Sequence, residues 1–181
     1  MQSLLDWTLE AIRKEPSDFS WMEEHRYAWT PLIESVLHRI LAGETVLVLT
    51  DPRRRWFEQY ILDAVNDPQQ DRPFLPFQSF HGIFADVQGL DTQLKITLME
   101  DMLEIAYPQG YFFWYIGKGD HPYTKLAYSK EENFLWLIDK EISGSFPLRE
   151  GDPLMDIKLL QLYGLFDQSV EAALYGKVEL S

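Results

Sequence analysis

The sequence predicts an α/β protein with a three-layer, doubly wound, mostly parallel sheet of four or five strands, preceded by two N-terminal helices. The apolar run at residues 46–49 has no polar alternation, which is typical of a strand covered on both faces. Similar runs then alternate with amphipathic helical patterns, as expected for a parallel sheet. At 181 residues the chain has the length of one domain. We predict a single domain in which residues 1–43 are a helical preamble, 44–150 the sheet with its flanking helices, and 151–181 a C-terminal helix.

Apolar spacing predicts the two helices of the preamble. Leu5, Leu9 and Ile12 fall on one face of the first helix. A second helix has an apolar face made of Trp29, Ile33, Val36, Leu37 and Ile40. Thr30-Pro31 lies inside this pattern, so the second helix either restarts or kinks there.

The next elements are a strand, a helix and a second strand. After residues 46–49, Asp51-Pro52 caps and begins a helix. Its predicted buried stripe is Trp56, Phe57, Tyr60, Ile61 and Ala64. Residues 74–77 form the predicted second strand, although Pro73 and Pro76 cannot donate to a ladder.

The second half of the chain continues the alternation. Residues 91–107 form an amphipathic helix whose predicted buried stripe is Leu94, Leu98, Met102 and Ile105. Strands follow at 111–116 and 134–138, separated by a long loop that is functional or contains a short helix, and 146–148 is a short edge strand. Asp152-Pro153 begins a final helix that is apolar around much of its circumference, which is typical of a helix buried on two sides.

The net charge of −13 limits the partners of this chain, because an acidic field repels nucleic acid and anionic lipid. The N-terminus has acids within its apolar stretch and no basic leader, and no uncharged run is long enough to span a membrane. We therefore expect a cytoplasmic protein that does not bind DNA or membranes directly. The chain contains no cysteine, which excludes disulfides and thiol nucleophiles.

Ligands of such sheets bind beyond the carboxyl ends of the strands, so the loops at residues 50–55, 78–83 and 117–123 are the places to look. The segment Gly117-Lys118-Gly119-Asp120 matches neither the dinucleotide nor the P-loop pattern. The four histidines are scattered, and no nucleophile has a clear carboxylate and base beside it. We expect no enzyme, cofactor or metal site. The alternative is a sugar-phosphate binder or isomerase with Lys118, Arg53 and Ser79 on phosphate and His81 or His121 moving protons.

A partner or subunit interface is the other possibility. Arg53, Arg54 and Arg55 are the densest positive cluster, at a helix start where the macrodipole disfavours cations. They bind an anion or carboxylate, pair with acids across a subunit contact, or are solvated. The chain has 6 Trp, 9 Tyr and 11 Phe, more than one core obviously requires, and aromatics are enriched in interfaces. The predicted interface residues are Arg53, Arg54, Arg55, Trp56, Tyr163, Phe166 and Tyr123.

Several blocks together resemble the HobA family, which binds the bacterial replication initiator DnaA. These blocks are Arg55-Trp56-Phe57 with Tyr60, Arg72 to Pro76, Phe134-Leu135-Trp136, and Asp156 to Tyr163 with Leu165-Phe166-Asp167. The resemblance implies a fold similar to sugar isomerase (SIS) domains and to DiaA, a tetramer built as a dimer of dimers, and no enzymatic activity. It also implies that the protein binds the N-terminal domain of DnaA and gathers several copies at the replication origin. The lack of a Ser/Thr-rich phosphate loop agrees with a non-catalytic adaptor.

Overall fold

The computed structural model describes residues 1–181 and divides them into two compact units. The terminal unit contains Met1–Leu41 and Glu150–Ser181, and the sheet unit contains Ala42–Arg149. The helices are α1 (Leu4–Lys14), α2 (Met22–Leu41), α3 (Arg55–Val65), α4 (Phe80–Ile83), α5 (Gln93–Ala106), α6 (Thr124–Ala127) and α7 (Met155–Leu174). The strands are β1 (Gln2–Ser3), β2 (Thr45–Thr50), β3 (Phe77–Ser79), β4 (Tyr111–Lys118), β5 (Phe134–Ile138), β6 (Ser145–Leu148) and β7 (Val178–Glu179).

Five strands of the sheet unit form one parallel sheet in the order β3-β2-β4-β5-β6. The chain therefore moves from β2 outward to β3, then returns past β2 to β4 and continues to the other edge. This reversal places the switch point of the sheet between β2 and β4. The predicted α/β class and the mostly parallel five-stranded sheet are confirmed.

Helices cover both faces of this sheet. On one face, Leu47 and Leu49 belong to a buried cluster with α4, α5 and α6, to which α5 contributes Ile96, Met99 and Leu103. On the other face, the α3 residue Phe57 stacks on Trp136 of β5, with ring centroids 6.2 Å apart. Since successive residues of a strand point to opposite faces, the apolar residues of β2, β4 and β5 are buried against helices on both sides of the sheet.

The second strand begins three residues later than predicted. Residues 74–76 precede β3, and Phe74 is 81% exposed. Pro76 lacks an N–H, and its carbonyl accepts from Val46 just before the paired residues begin. The Asn66 side chain bonds both the N–H and the carbonyl of Leu75, so this segment is held by a side chain instead of a ladder.

The predicted stripe of α5 is wrong, and that of α3 is wrong in part. In α5 all four residues of the predicted stripe are exposed, and the side chains packed on the sheet are Ile96, Met99 and Leu103. In α3 Trp56 and Tyr60 are each 42% exposed, whereas Glu58 is buried beside Phe57 and Ile61. In α5 a different side of the helix therefore faces the sheet, whereas in α3 Phe57 and Ile61 are buried as predicted.

The terminal unit consists of α1, α2, α7 and a two-stranded parallel sheet of β1 and β7. The hydroxyl of Ser3 caps α1 by accepting from the N–H of Asp6, and α2 runs through Pro31 as one helix. Trp21 donates to Gln161 of α7 at 2.9 Å, which ties the segment before α2 to α7. The buried residues of α7 are Met155, Leu159, Leu162, Tyr163, Leu165, Phe166, Ser169, Val170 and Ala172.

Candidate functional site

The switch point of the sheet is occupied by a buried ion pair of the chain itself. Asp51 follows β2 and pairs with Arg54 at 3.1 Å, and the side chains are 3% and 5% exposed. The Asp51 carboxylate also accepts from the backbone N–H groups of Arg54 and Lys118. These amides, which would be available to a phosphate in a phosphate-binding sheet, are held here by a carboxylate.

Close packing completes this end of β4. A Cβ placed on Gly117 would lie 2.7 Å from the Tyr115 hydroxyl and 2.9 Å from Asp51, so only glycine fits. The Tyr115 hydroxyl donates to the carbonyl of Lys118 at 2.8 Å. Burial raises the pKa of Tyr115, and the nearby Asp51 adds to this effect, so the hydroxyl stays protonated as a hydrogen-bond donor.

Beside the ion pair, Glu58 of α3 is the centre of a second buried cluster. Its carboxylate accepts from the hydroxyls of Thr50, at 3.0 Å, and Ser79. His81 Nδ1 lies 3.3 Å from Glu58 Oε2, and Arg55 Nη1 lies 3.6 Å from Oε1. Burial opposes ionisation of Glu58, but the contacts with His81 and Ser79, together with the charge of Arg55, lower its pKa below the ordinary value. Glu58 is thus an ionised, fully surrounded carboxylate.

The two histidines of the strand ends both contact Tyr123. The Tyr123 ring lies 5.5 Å from that of His81 and 4.4 Å from that of His121, centroid to centroid, and Tyr123 is 5% exposed. Burial lowers the pKa of His121. Tyr123, one of the predicted interface residues, therefore separates the two imidazoles inside the sheet unit.

The three arginines do not form one patch. Arg54 is buried against Asp51, Arg53 is exposed in the 3-10 helix Pro52–Arg54, and Arg55 begins α3 with 48% of its side chain exposed. The alternation follows from Asp51, whose carboxylate binds the side chain and backbone N–H of Arg54 and so turns that arginine inward.

Exposed aromatics adjoin Arg55. Trp56 and Tyr60 lie one turn apart on α3 and are each 42% exposed, while Phe57 beneath them is buried and stacks on Tyr60 with centroids 6.2 Å apart. We define the α3 surface as Arg53, Arg55, Trp56 and Tyr60. Trp, Tyr and Arg are the residue types that most often dominate binding energy at interfaces, and here they are fixed on a helix that packs against the sheet.

The structure places the other predicted interface residues elsewhere. Tyr163 and Phe166 are buried in α7 within the terminal unit, with ring centroids 6.2 Å apart. Of the seven predicted residues, Arg53, Arg55 and Trp56 are exposed close together in the chain at the start of α3. Sequence reasoning missed Tyr60 as a surface residue and Glu58 as a buried one. The hydroxyls of Thr50 and Ser79 at the strand ends were the available signal for Glu58.

No group of His, Asp and Glu side chains is arranged to hold a metal ion. None of the helices combines the length and the apolar character needed to cross a lipid bilayer.

Comparison with known proteins gives consistent matches over the whole chain. The family model described as HobA, a DNA replication regulator, matches residues 1–180. The DNA replication regulator protein HobA of Helicobacter pylori is 32% identical over 186 residues, covering 99% of this chain and 100% of that protein. A crystal structure of a HobA–DnaA (domain I–II) complex from Helicobacter pylori superimposes with a TM-score of 0.77 at 31% identity, covering 99% and 100% of the two chains. A crystal structure of HobA from the same organism gives 0.73 at 29% identity with the same coverage.

Proposed function

We propose, since this chain belongs to the HobA family of DNA replication regulators, that it binds the N-terminal domain of the initiator DnaA and promotes ordered assembly of DnaA at the chromosomal origin. One observation carries this proposal: the chain matches, over 99% of its length, a structure in which HobA is bound to DnaA domains I–II. The net charge of −13 supports an adaptor that acts on DNA only through another protein.

The α3 surface is the proposed contact with DnaA. Trp56 and Tyr60 offer aromatic area that is already ordered by the buried Phe57, so binding costs little side-chain entropy. Arg55 lies at the rim of these aromatics, where a carboxylate of a partner can reach it. Four of the predicted interface residues are buried within their own units and are not proposed as contacts, namely Arg54, Tyr123, Tyr163 and Phe166.

We propose that the protein works in the cytoplasm as a homotetramer, built as a dimer of dimers. Each chain contributes one SIS-like domain with its two N-terminal helices. A particle with several identical sites raises the effective concentration of bound DnaA molecules relative to one another, which is how an adaptor gathers copies without catalysis. Light scattering at micromolar concentration tests this part, because a strictly monomeric mass would remove the multivalent mechanism.

We also propose that the protein is not an enzyme. Asp51 places a carboxylate at the switch point, where a sugar phosphate would need free amides, and it already accepts from the amides of Arg54 and Lys118. The geometry therefore disfavours the alternative sugar-phosphate site of Lys118, Arg53 and Ser79. A stable rise in melting temperature with hexose or pentose phosphates would support that alternative.

Titration with the isolated DnaA N-terminal domain tests the central proposal. Because single hot-spot residues contribute 2 kcal/mol or more, we expect Trp56→Ala to weaken binding by about 30-fold. Phe74→Ala is the matched control, since Phe74 is an exposed aromatic of the same unit outside the α3 surface. Absence of binding by the wild-type protein at low salt would overturn the partner assignment, whereas equal effects of the two variants would overturn only the α3 surface.

A further inference from the structure

The outward face of α5 is apolar. The α5 stripe consists of four residues that are 54% to 83% exposed, namely Leu94, Leu98, Met102 and Ile105. At about 100° per residue along a helix, these positions fall within about 80° of one another. The buried residues of α5 lie on the opposite side of the helix. This face therefore exposes a continuous row of large apolar side chains, which monomeric surfaces rarely do.

One long side of the α5 stripe is bordered by carboxylates. The same helical geometry places Glu100, Glu104 and Asp101 in succession between the buried side of α5 and the stripe. Neither Asp101 nor Glu104 forms an ion pair, and both are exposed. Lys95, the one basic residue of α5, lies on the other side of the stripe and pairs with Asp91 at 2.8 Å.

Tyr111 lies within the electrostatic influence of this acidic border. Burial, followed by the charges of Glu100, Glu104 and Asp101, raises the pKa of Tyr111 to about 12. The Oε1 atom of Glu100 is buried and has no hydrogen-bond donor. Lys130 lies over the Tyr111 ring at 3.9 Å but makes no ion pair with these acids. The border is therefore an uncompensated negative edge next to an apolar row.

We propose that the α5 stripe and its acidic border are a docking surface for an amphipathic helix of another protein, one whose apolar face is flanked by lysine or arginine. A helix is the element whose apolar residues recur at the spacing of this stripe, and basic flanking residues complement Asp101 and Glu104. A second copy of this chain fits less well in an antiparallel pairing. Two antiparallel α5 helices related by a twofold axis would set the acidic border of one copy against that of the other.

This surface is distinct from the α3 surface proposed for DnaA. The buried side of α5 packs on the face of the sheet that contains Leu47 and Leu49, whereas Phe57 of α3 packs on the opposite face. The two surfaces therefore belong to opposite layers of the sheet unit. An adaptor with both can bind its DnaA partner and a second, basic protein at the same time.

The test measures fluorescence anisotropy of two labelled synthetic amphipathic peptides with the same leucine stripe, one flanked by lysine and one by glutamate. We expect the lysine peptide to bind the full chain, more weakly as salt rises, and the glutamate peptide not to bind. Asp101→Lys with Glu104→Lys should weaken binding of the lysine peptide by about tenfold or more and allow the glutamate peptide to bind. Leu98→Ser with Met102→Ser should abolish binding of the lysine peptide.

Glu131→Lys with Glu141→Lys is the matched control, since it makes the same charge change at exposed loop positions outside α5. It should leave binding nearly unchanged, and circular dichroism should show that every variant is folded. Equal binding of the lysine peptide to the wild type and the α5 charge reversal would overturn the proposal. A lower particle mass for Leu98→Ser with Met102→Ser, without loss of peptide binding, would assign the stripe to a second copy instead. None of these measurements depends on DnaA binding.

Discussion

Removing the Asp51 carboxylate should strongly destabilise the sheet unit. Asp51 pairs with Arg54 at 3.1 Å, and both side chains are at most 5% exposed. Deleting one partner of a buried ion pair costs about 3–5 kcal/mol. Loss of the acceptor for the Lys118 N–H costs about 1–3 kcal/mol. These contributions overlap because they share one carboxylate, so we expect Asp51→Ala to lower the free energy of unfolding by at least about 3 kcal/mol.

Equilibrium urea unfolding measures this effect. With a slope of about 2 kcal/mol per molar urea, 3 kcal/mol corresponds to a shift of the midpoint by about 1.5 M. Protein concentration must be the same for all variants, since assembly would make stability depend on it. Asp91→Ala is the control, because Asp91 pairs with Lys95 while both side chains are more than half exposed, and such pairs contribute about 0–1 kcal/mol. Equal shifts for the two variants would refute the reasoning.

Three other outcomes follow from the same region. The pKa of Glu58 is lower in the folded protein than its ordinary value of 4.5. The ionised carboxylate therefore stabilises the fold at pH values above 4.5, and this stabilisation is lost as the pH falls through the pKa of the folded protein. Wild type should therefore exceed Glu58→Gln in urea stability at about pH 7, and the difference should shrink at about pH 3. Gly117→Ala should lower the melting temperature, because its Cβ would meet the Tyr115 hydroxyl at 2.7 Å, at a cost of about 1–3 kcal/mol. Hexose and pentose phosphates should leave the melting temperature of the wild type unchanged.

The central strands could be predicted from the sequence because strands buried on both faces appear as unbroken apolar runs. Residues 46–49 form an unbroken apolar run that lies within β2. A second such run, residues 134–138, coincides with β5. A strand covered on both faces favours apolar side chains at successive positions, so an unbroken apolar run in the sequence predicts both the strand and its burial. In β3 only three residues pair, and the strand begins after Pro73 and Pro76, three residues later than the predicted start.

The orientation of the helices could not be predicted in the same way. In α5 the exposed Leu98 and the buried Met99 are adjacent, and each belongs to a complete apolar row at helical spacing. Periodicity detects such a row but does not say which row meets the sheet when a helix has two. The exposed row is itself informative, since it is the surface we propose for a further partner.

The site was only partly predictable because its key residues are polar and buried. Glu58 reads as a solvated residue of an amphipathic helix, and only the fold brings Thr50 and Ser79 close enough to donate to it. Similarly, Arg54 was grouped with its neighbours by sequence, while Asp51 turns it inward. A contact that depends on several elements of the chain leaves no local pattern.

The two outer strands of the sheet restrict how copies of this protein can associate. β3 has three residues and β6 has four, one of which is Pro147, which has no N–H to offer. Short edges, one of them interrupted by proline, are poor templates for adding a strand from another chain. A continuous intermolecular extension of the five-stranded sheet is thus disfavoured. At the five-stranded sheet, self-association and partner binding are therefore expected to rely on side chains of the helices and loops, which single substitutions can alter without breaking the sheet.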